Sequence, residues 1–302
     1  MADARWNTLD GKRPRIIAHR GASGHRPEHT LEAFALALAQ GADMLEPDLV
    51  ASRDGVLFAR HDLGLSRSTD VASRPEFAVR ARTIDTVRDW WIGDFDAEEL
   101  GVLRAVQPMP DRGDRYDGQF GIASFGALLD LVGKANRERD VPVVIEAEIK
   151  QPDAAVLAAL ARELESRDLA GERSPVWIEC FDHDFLRRAR ERCGNPCIVL
   201  LEAEGEWRRG DPRLRELARW ARGVAPRKDT LRDAAGRDTR WVTAAHELGL
   251  EVHAWTFRDD GAHAPFASPR EELDAAFALG VDALFCDFPD MAIAARAAFA
   301  AR

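Results

Sequence analysis

The most informative stretch is Ile17-Ala18-His19-Arg20-Gly21-Ala22-Ser23-Gly24, followed by Pro27-Glu28-His29-Thr30. It places an imidazole and a guanidinium where an apolar strand, Arg15 to Ala18, ends. The glycines that follow let the chain turn and approach a bound group closely. A pair such as His19 and Arg20 is also common on plain protein surfaces. The rest of the sequence therefore has to favour one interpretation.

A helix begins near Thr30, directly after this loop. Its apolar residues recur at the spacing of one helical face, so that face packs inward: Leu31, Phe34, Ala35 and Leu38. His19 and Arg20 thus lie on a strand-to-helix loop.

Two carboxylates alternate in the next strand, Leu45-Glu46-Pro47-Asp48-Leu49-Val50. At strand spacing Glu46 and Asp48 point to the same face, where their charges repel. A divalent cation would neutralise them, and hard oxygen ligands suit Mg²⁺ or Ca²⁺. The alternative is a solvated edge strand with two exposed acids.

A hairpin follows this strand. Ser52-Arg53-Asp54-Gly55 predicts a turn, and Val56 to Asp62 is the returning strand. A turn centred on Asp54 places Glu46 opposite roughly residue 61, so we expect His61 to join the carboxylates.

A third acid comes from Pro142 to Lys150, whose first half is apolar. Glu146, Glu148 and Lys150 share one face of a strand that looks buried on both sides. Either Glu146 or Glu148 completes a site of three carboxylates, with Lys150 placed to meet an anion.

These residues resemble the glycerophosphodiester phosphodiesterase family. The matching motifs occur in the family's order from residue 15 to about 290: His19-Arg20-Gly21, Pro27-Glu28-His29-Thr30, Glu46-x-Asp48, His61-Asp62, Glu148-Ile149-Lys150, Cys180-Phe181-Asp182, His253-Ala254-Trp255-Thr256 and Gly280-Val281-Asp282-Ala283-Leu284-Phe285-Cys286-Asp287-Phe288-Pro289. The form of the first motif and of Cys180-Phe181-Asp182 looks more like the branch of bacterial periplasmic enzymes. Cys286 and Pro47 depart from the usual pattern, but neither is a proposed ligand.

The resemblance implies an α/β fold, a (β/α)₈ barrel, and a small-molecule glycerophosphodiester substrate. The implied roles are two catalytic histidines, His19 and His61; three ligands of a divalent metal, Glu46, Asp48 and Glu148; and phosphate contacts from Arg20 and Lys150. By the same resemblance Trp255 lines a glycerol pocket, whereas a bare strand tryptophan would be core.

The strand pattern agrees with a barrel. Eight strands are predicted: Arg15 to Ala18, Met44 to Val50, Val143 to Ile149, Val176 to Phe181, Cys197 to Leu201, Gly223 to Ala225, Glu251 to Thr256 and Ala283 to Cys286. The ninth candidate, Val56 to His61, follows its neighbour after a four-residue turn and cannot be parallel to it, so we place it above the barrel rather than in its wall. The proposed site residues then fall at the carboxyl ends of strands, where barrel enzymes have their active sites.

Composition predicts one large domain over residues 1–302. The chain is 46% hydrophobic, and barrels of about 250 residues routinely form single domains. Residues 62–123 show no clean period and are interpreted as an insertion that caps the active-site face. Its aromatic residues contact substrate or, more simply, pack within the insertion.

The net charge of −10 argues against a nucleic-acid partner, because phosphate neutralisation requires a basic surface. Four cysteines are too few for a disulfide framework, and Cys193 with Cys197 is a weak zinc motif. We expect no membrane span and, since Met1 to Arg13 has no signal-peptide core, a cytoplasmic protein. A periplasmic enzyme whose leader is missing is the alternative.

The predicted function is metal-dependent hydrolysis of glycerophosphodiesters to glycerol 3-phosphate and an alcohol, with acid–base catalysis by two histidines. A bulkier diester, such as a lysophospholipid, fits the same chemistry. A catalytically silent phosphate-binding scaffold is disfavoured because every expected site residue is present. A metal amidohydrolase is disfavoured because its first strand ends in two alternating histidines, and position 21 here is Gly21.

Overall fold

The computed structural model describes residues 6–202, 211–233, 235–261 and 264–302. In that part of the chain the strands are β1 Arg15–His19, β2 Met44–Glu46, β3 Asp48–Ala51, β4 Leu57–Ala59, β5 Arg82–Ile84, β6 Val87–Asp89, β7 Val144–Ile149, β8 Val176–Cys180, β9 Cys197–Leu200, β10 Gly223–Ala225, β11 Glu251–Phe257 and β12 Ala283–Cys286. The α-helices are α1 Leu31–Gln40, α2 Ala97–Gly101, α3 Phe125–Asn136, α4 Ala154–Glu165, α5 His183–Cys193, α6 Pro212–Leu217, α7 Trp241–His246, α8 Pro269–Leu279 and α9 Pro289–Ala300.

Parallel pairing closes the sheet into an eight-stranded barrel, which confirms the predicted (β/α)₈ fold. Around the wall the order is β1, β2 with β3, β7, β8, β9, β10, β11 and β12, and β12 pairs again with β1. β2 and β3 occupy one position in the wall, and both pair with β7. The continuous strand predicted from Met44 to Val50 is therefore interrupted at Pro47, which has no N–H to donate to the ladder.

β4 pairs antiparallel with β3, which confirms the predicted hairpin. Val50 pairs with Phe58, and this register is shifted by one residue from the expected one, which placed Glu46 opposite residue 61. The turn runs from Ser52 to Val56, and the Ser52 N–H donates to the Val56 carbonyl at 2.9 Å. Asp48, rather than Glu46, thus lies opposite Arg60, the residue that precedes His61.

Alternation along the strands separates two apolar cores. The larger core contains buried residues of both strands and helices and so lies between the wall and the helices. The smaller one has no helical residue and fills the inside of the barrel: Ile17, Met44, Trp177, Ile198, Leu200, Ala225, Ala283 and Phe285. Polar side chains occupy the remaining inward positions, which is where the chemistry lies.

Residues 62–123 leave the wall after β4 and build their own small core. It packs Leu65, Phe77 and Phe95 against Val50 and Phe58 of the hairpin. The segment contains the β5–β6 ribbon, α2 and four short 3₁₀ helices, Asp70–Ser73, Pro75–Arg80, Ile92–Asp94 and Pro110–Arg112.

The insertion's tryptophans pack within it. The indole N–H groups of Trp90 and Trp91 donate to the carbonyls of Phe77 and Arg82. This supports the simpler interpretation of its aromatic residues.

Candidate active site

Three carboxylates meet at the carboxyl end of the barrel. Glu46 ends β2, Asp48 begins β3, and Glu148 lies near the end of β7, where it is in register with Asp48. All three are buried, and one oxygen from each lies within 4.8 Å of the others. The alternation of Glu46 and Asp48 on either side of Pro47 therefore brings them to one face, as the sequence predicts.

The three acids carry unequal charge. Burial and the charges of Asp48 and Glu148 raise the pKa of Glu46 well above its usual range. Burial and the charge of Asp48 also raise the pKa of Glu148 to about 8. Burial opposes ionisation of Asp48 as well, but Arg20 and Lys150 outweigh it and hold the pKa of Asp48 well below its usual value.

Two cations lie against these acids. Arg20 Nε is 3.2 Å from Asp48 Oδ2, and the backbone N–H of Arg20 donates to Glu46 Oε2 at 2.9 Å. Lys150 Nζ lies 2.6 Å from Glu148 Oε1 and 3.2 Å from Asp48 Oδ1. Both predicted phosphate-contacting residues are thus part of the acid cluster.

Two residues of the loop before α1 complete the cluster, and sequence reasoning gave them no role. His29 is buried with its Nε2 2.8 Å from Asp48 Oδ2, and Glu28 Oε2 accepts from Arg20 Nη1 at 2.9 Å. His29 has a left-handed φ of 61°, which turns the chain back toward the acids. The Pro27-Glu28-His29-Thr30 motif was the available signal, because it matched the family as a unit.

His19 ends β1 beside the acid cluster, and its Nδ1 lies 2.6 Å from Asp287 Oδ1. β12 pairs with β1, so Asp287, just after β12, arrives next to it. Burial and the charge of Arg20 lower the pKa of His19 to about 4. His19 is therefore neutral near pH 7.

Asp287 is a further residue that sequence reasoning did not single out. Burial opposes its ionisation, but His19, Arg112 and Arg258 outweigh that and keep the pKa of Asp287 below its usual value. An ionised carboxylate only accepts, so His19 carries its proton on Nδ1 and leaves Nε2 with a lone pair.

His61 follows β4 at the open end of the site. The backbone N–H of Arg60, the preceding residue, donates to the Asp48 carbonyl at 2.8 Å. His61 Nδ1 lies 2.6 Å from Asp62 Oδ1, and its side chain is about a third exposed. Among the described residues, the compact group of possible metal ligands contains the three carboxylates and not His61. His61 is thus outside this compact ligand group, in contrast to the expectation that it joins the carboxylates.

Glu146 is separated from the site, which resolves the choice between it and Glu148. Its carboxylate meets His253 Nδ1 at 2.9 Å deeper in the barrel. Trp255 is half-buried at the top of the barrel interior, edge-on to Phe181. Its indole N–H donates to the Ala225 carbonyl at 2.8 Å, so this donor is used within the protein.

Comparisons with known proteins bear on this site. Residues 19–291 match the model of the glycerophosphoryl diester phosphodiesterase family. The chain is similar to glycerophosphodiester phosphodiesterase GDPD6 of Arabidopsis thaliana, with 30% identity over 93% of this chain and 85% of that protein. It is also 28% identical to the glycerophosphodiester phosphodiesterase of Haemophilus influenzae, over 92% of this chain and 88% of the relative.

Solved structures share the fold. A putative glycerophosphoryl diester phosphodiesterase of Silicibacter pomeroyi superposes with a TM-score of 0.74 at 22% identity, covering 98% of both chains. A phosphodiesterase of Oleispira antarctica, in complex with the product sn-glycerol-3-phosphate, superposes with a TM-score of 0.70 at 21% identity, over 95% of this chain and 98% of that one.

Proposed function

The chain belongs to the glycerophosphoryl diester phosphodiesterase family and is a hydrolase of phosphoric diesters, and from this premise we propose that it hydrolyses glycerophosphodiesters to glycerol 3-phosphate and an alcohol. The observation that carries the proposal is the convergence of three buried carboxylates with two cations, beside His19, at the open end of the barrel. The glycerol 3-phosphate bound by the Oleispira antarctica phosphodiesterase is the product expected of this reaction.

Glu46, Asp48 and Glu148 would hold a divalent cation, Mg²⁺ or Ca²⁺. Their donor set suits such an ion, because it consists of hard carboxylate oxygens in a compact group. Glu46 Oε1 is buried and has no hydrogen-bond partner among the described residues, which leaves it free to ligate. When bound, the cation would neutralise the mutual repulsion of the acids and polarise a phosphoryl oxygen.

The two histidines supply and remove protons. His19 Nε2 has the lone pair, so His19 accepts the proton of the attacking hydroxyl as general base. His61, whose Nδ1 is held by Asp62, donates a proton to the leaving alkoxide oxygen as general acid. An alkoxide is a poor leaving group, and simultaneous proton transfer at both oxygens lowers its barrier.

Arg20 and Lys150 stabilise the negative charge on the phosphoryl oxygens. Each is anchored by acids of the cluster, yet Arg20 Nε makes no hydrogen bond within the described residues, and both groups keep donors for an anion. Preorganised donors of this kind stabilise the transition state without reorganisation. Trp255 offers its ring face as the apolar wall of a glycerol site.

The nucleophile in the first step is the glycerol 2-hydroxyl of the substrate, which gives a cyclic phosphate that water then opens. An internal hydroxyl needs no separate immobilisation, and oriented internal nucleophiles reach effective molarities of about 10⁵–10⁸ M.

The test is a panel of glycerophosphodiesters assayed for released alcohol with and without added Mg²⁺ or Ca²⁺. It includes a 2-deoxy analogue compared at saturating concentration. Release from the natural diester alone supports the proposal. Equally fast release from the 2-deoxy compound shows direct attack by water and a broad diesterase.

A further inference from the structure

The insertion reaches the pair formed by His19 and Asp287 through the side chain of Arg112. This residue ends the 3₁₀ helix Pro110–Arg112, and its guanidinium lies over the barrel mouth with only 5% of the side chain exposed. Its Nη2 donates to Asp287 Oδ2 at 2.6 Å, and its Nη1 donates to the Ser23 carbonyl at 3.2 Å. It therefore connects the insertion to the loops after β1 and β12.

The guanidinium has little donor capacity left for a substrate. Nε and Nη2 also donate to the two oxygens of Asp260, at 2.7 and 3.2 Å. Four of its five N–H groups are thereby used by protein acceptors. Arg112 is a fixed part of the site wall rather than a phosphate ligand.

Both oxygens of Asp287 are held. Oδ1 accepts from His19 Nδ1 at 2.6 Å, while Oδ2 accepts from Arg112 and, at 2.9 Å, from Arg258 Nε. The Arg258 side chain is 40% exposed, whereas the Arg112 side chain is buried and makes three other hydrogen bonds, to Asp260 and the Ser23 carbonyl. Arg112 is therefore the more rigidly held partner of Asp287. A carboxylate fixed in this way cannot rotate away from the imidazole.

We propose that Arg112 is a positioning residue for His19, acting through Asp287. It holds the carboxylate that fixes the proton on Nδ1 and aims Nε2 into the site. The insertion thereby completes the geometry of the proposed general base, and this inference rests on the catalytic role proposed above for His19. A group that sets a tautomer through a carboxylate changes turnover rather than substrate binding.

A double-mutant cycle of Arg112→Met and Asp287→Asn tests this. We expect Arg112→Met to lower kcat about tenfold with KM within twofold, since small misplacements of a catalytic group cost up to about 10²-fold. Asp287→Asn lowers kcat by about 10²-fold or more. In the Asp287→Asn background, Arg112→Met has no further effect. Arg112→Lys recovers part of the loss.

The matched control is Arg82→Met. Arg82 is an insertion arginine that makes two hydrogen bonds to Asp94 and is half exposed, so its loss leaves kcat unchanged. Three outcomes would each overturn the inference. The first is a double mutant whose loss of kcat is the product of the losses in Arg112→Met and Asp287→Asn. The others are a raised KM and an unchanged kcat in Arg112→Met.

A second readout needs no turnover. Imidazole ¹⁵N spectra of the wild type show the His19 proton on Nδ1, and we expect Arg112→Met to populate both tautomers. An unchanged His19 signal in that variant overturns the inference. A wild type that releases no alcohol from any glycerophosphodiester refutes the proposed function instead, and Arg112 is then judged by the spectra.

Discussion

The barrel encloses two layers of charged side chains, an upper one at the carboxyl ends of the strands and a lower one beneath it. The upper layer contains Arg20, Glu46, Asp48, Glu148 and Lys150. The lower layer contains Arg15, Glu146, Glu251 and His253. On β7 the two layers are only two residues apart, about 7 Å along the strand.

The lower layer is a closed network. His253 is fully buried, with Nδ1 2.9 Å from Glu146 and Nε2 3.2 Å from Glu251, and Arg15 ion-pairs with Glu251. Its two acids face three cations, because Arg222 also ion-pairs with Glu251 at 2.6 Å. Above Glu146, burial and the charge of Glu146 raise the pKa of Glu179, which lies level with Glu148 on the neighbouring strand and whose Oε2 is buried without a hydrogen-bond partner among the described residues. Each of the four groups of the lower layer itself thus has a charged partner within the layer.

The upper layer, with Glu28 counted, has four acids against the two cations Arg20 and Lys150, and Glu46 Oε1 lacks a hydrogen-bond partner in the described chain. A buried polar atom without a hydrogen-bond partner is costly, whereas a paired one is tolerated. Both layers are buried and rich in carboxylates, so neither property marks the site. Incomplete pairing of the polar atoms is what distinguishes the upper layer, and matched substitutions in the two layers test that distinction.

Chelation of divalent cations should have the largest effect. We expect it to lower the rate by at least about 10³-fold, because a metal supplies several kcal/mol of transition-state stabilisation. Glu46→Gln should lose metal affinity, measured by calorimetry, together with rate. Its lower-layer counterpart, Glu146→Gln, should bind metal normally. Full activity after exhaustive chelation would contradict a metal role for the upper layer.

Loss of either histidine of the site comes next. His19→Ala and His61→Ala should each lower kcat by about 10²–10⁴-fold with the fold intact, the usual contribution of general acid–base catalysis. His253→Gln is the lower-layer control, and the folded protein should keep its turnover. Near-normal kcat in either site variant would remove that histidine from the mechanism.

Much of this arrangement could be predicted because its signals are local. The alternation of Glu46 and Asp48 fixes their common face, and Thr30 caps α1 by accepting from the Ala33 N–H, next to the loop that presents Arg20. Such residues come together because of strand spacing and because the carboxyl ends of all barrel strands meet at one face.

The contacts that position the site are not local. His19 and Asp287 are 268 residues apart, and they meet only because β12 closes the barrel against β1. The choice between Glu146 and Glu148 depended on how deep each lies in the barrel, which a strand pattern does not specify. Cellular location stays a prediction, although no helix in residues 6–202, 211–233, 235–261 and 264–302 combines the length and apolarity of a membrane span.

Substitutions in the two layers should have different effects on the free energy of unfolding. In metal-free protein, Glu146→Gln should lower the free energy of unfolding by about 3 kcal/mol, as expected when a buried ion pair is broken. Glu46→Gln should leave it unchanged or raise it by about 1 kcal/mol, because the amide is neutral from the start, whereas a carboxyl with a raised pKa must take up a proton on folding. Urea unfolding of both variants measures the difference, and equal losses would mean that both layers serve the fold.

The smallest effect is a pH dependence confined to the lower layer. Burial of His253 favours its neutral form, but Glu146 and Glu251 outweigh burial and raise the pKa of His253 to about 8. Because this pKa is raised above its ordinary value near 6.5, the stability that His253 contributes is complete below that value and is lost as pH rises through 8.

The expected loss is about 2 kcal/mol between pH 6 and 9, since one pKa unit corresponds to about 1.4 kcal/mol. Urea unfolding of the wild type and His253→Gln over this range isolates it, because other titrating groups cancel in the difference. We expect the two stability curves to converge at high pH. Parallel curves would show that the imidazole is neutral in the folded protein, and His253 would then be held in the lower layer by hydrogen bonds alone.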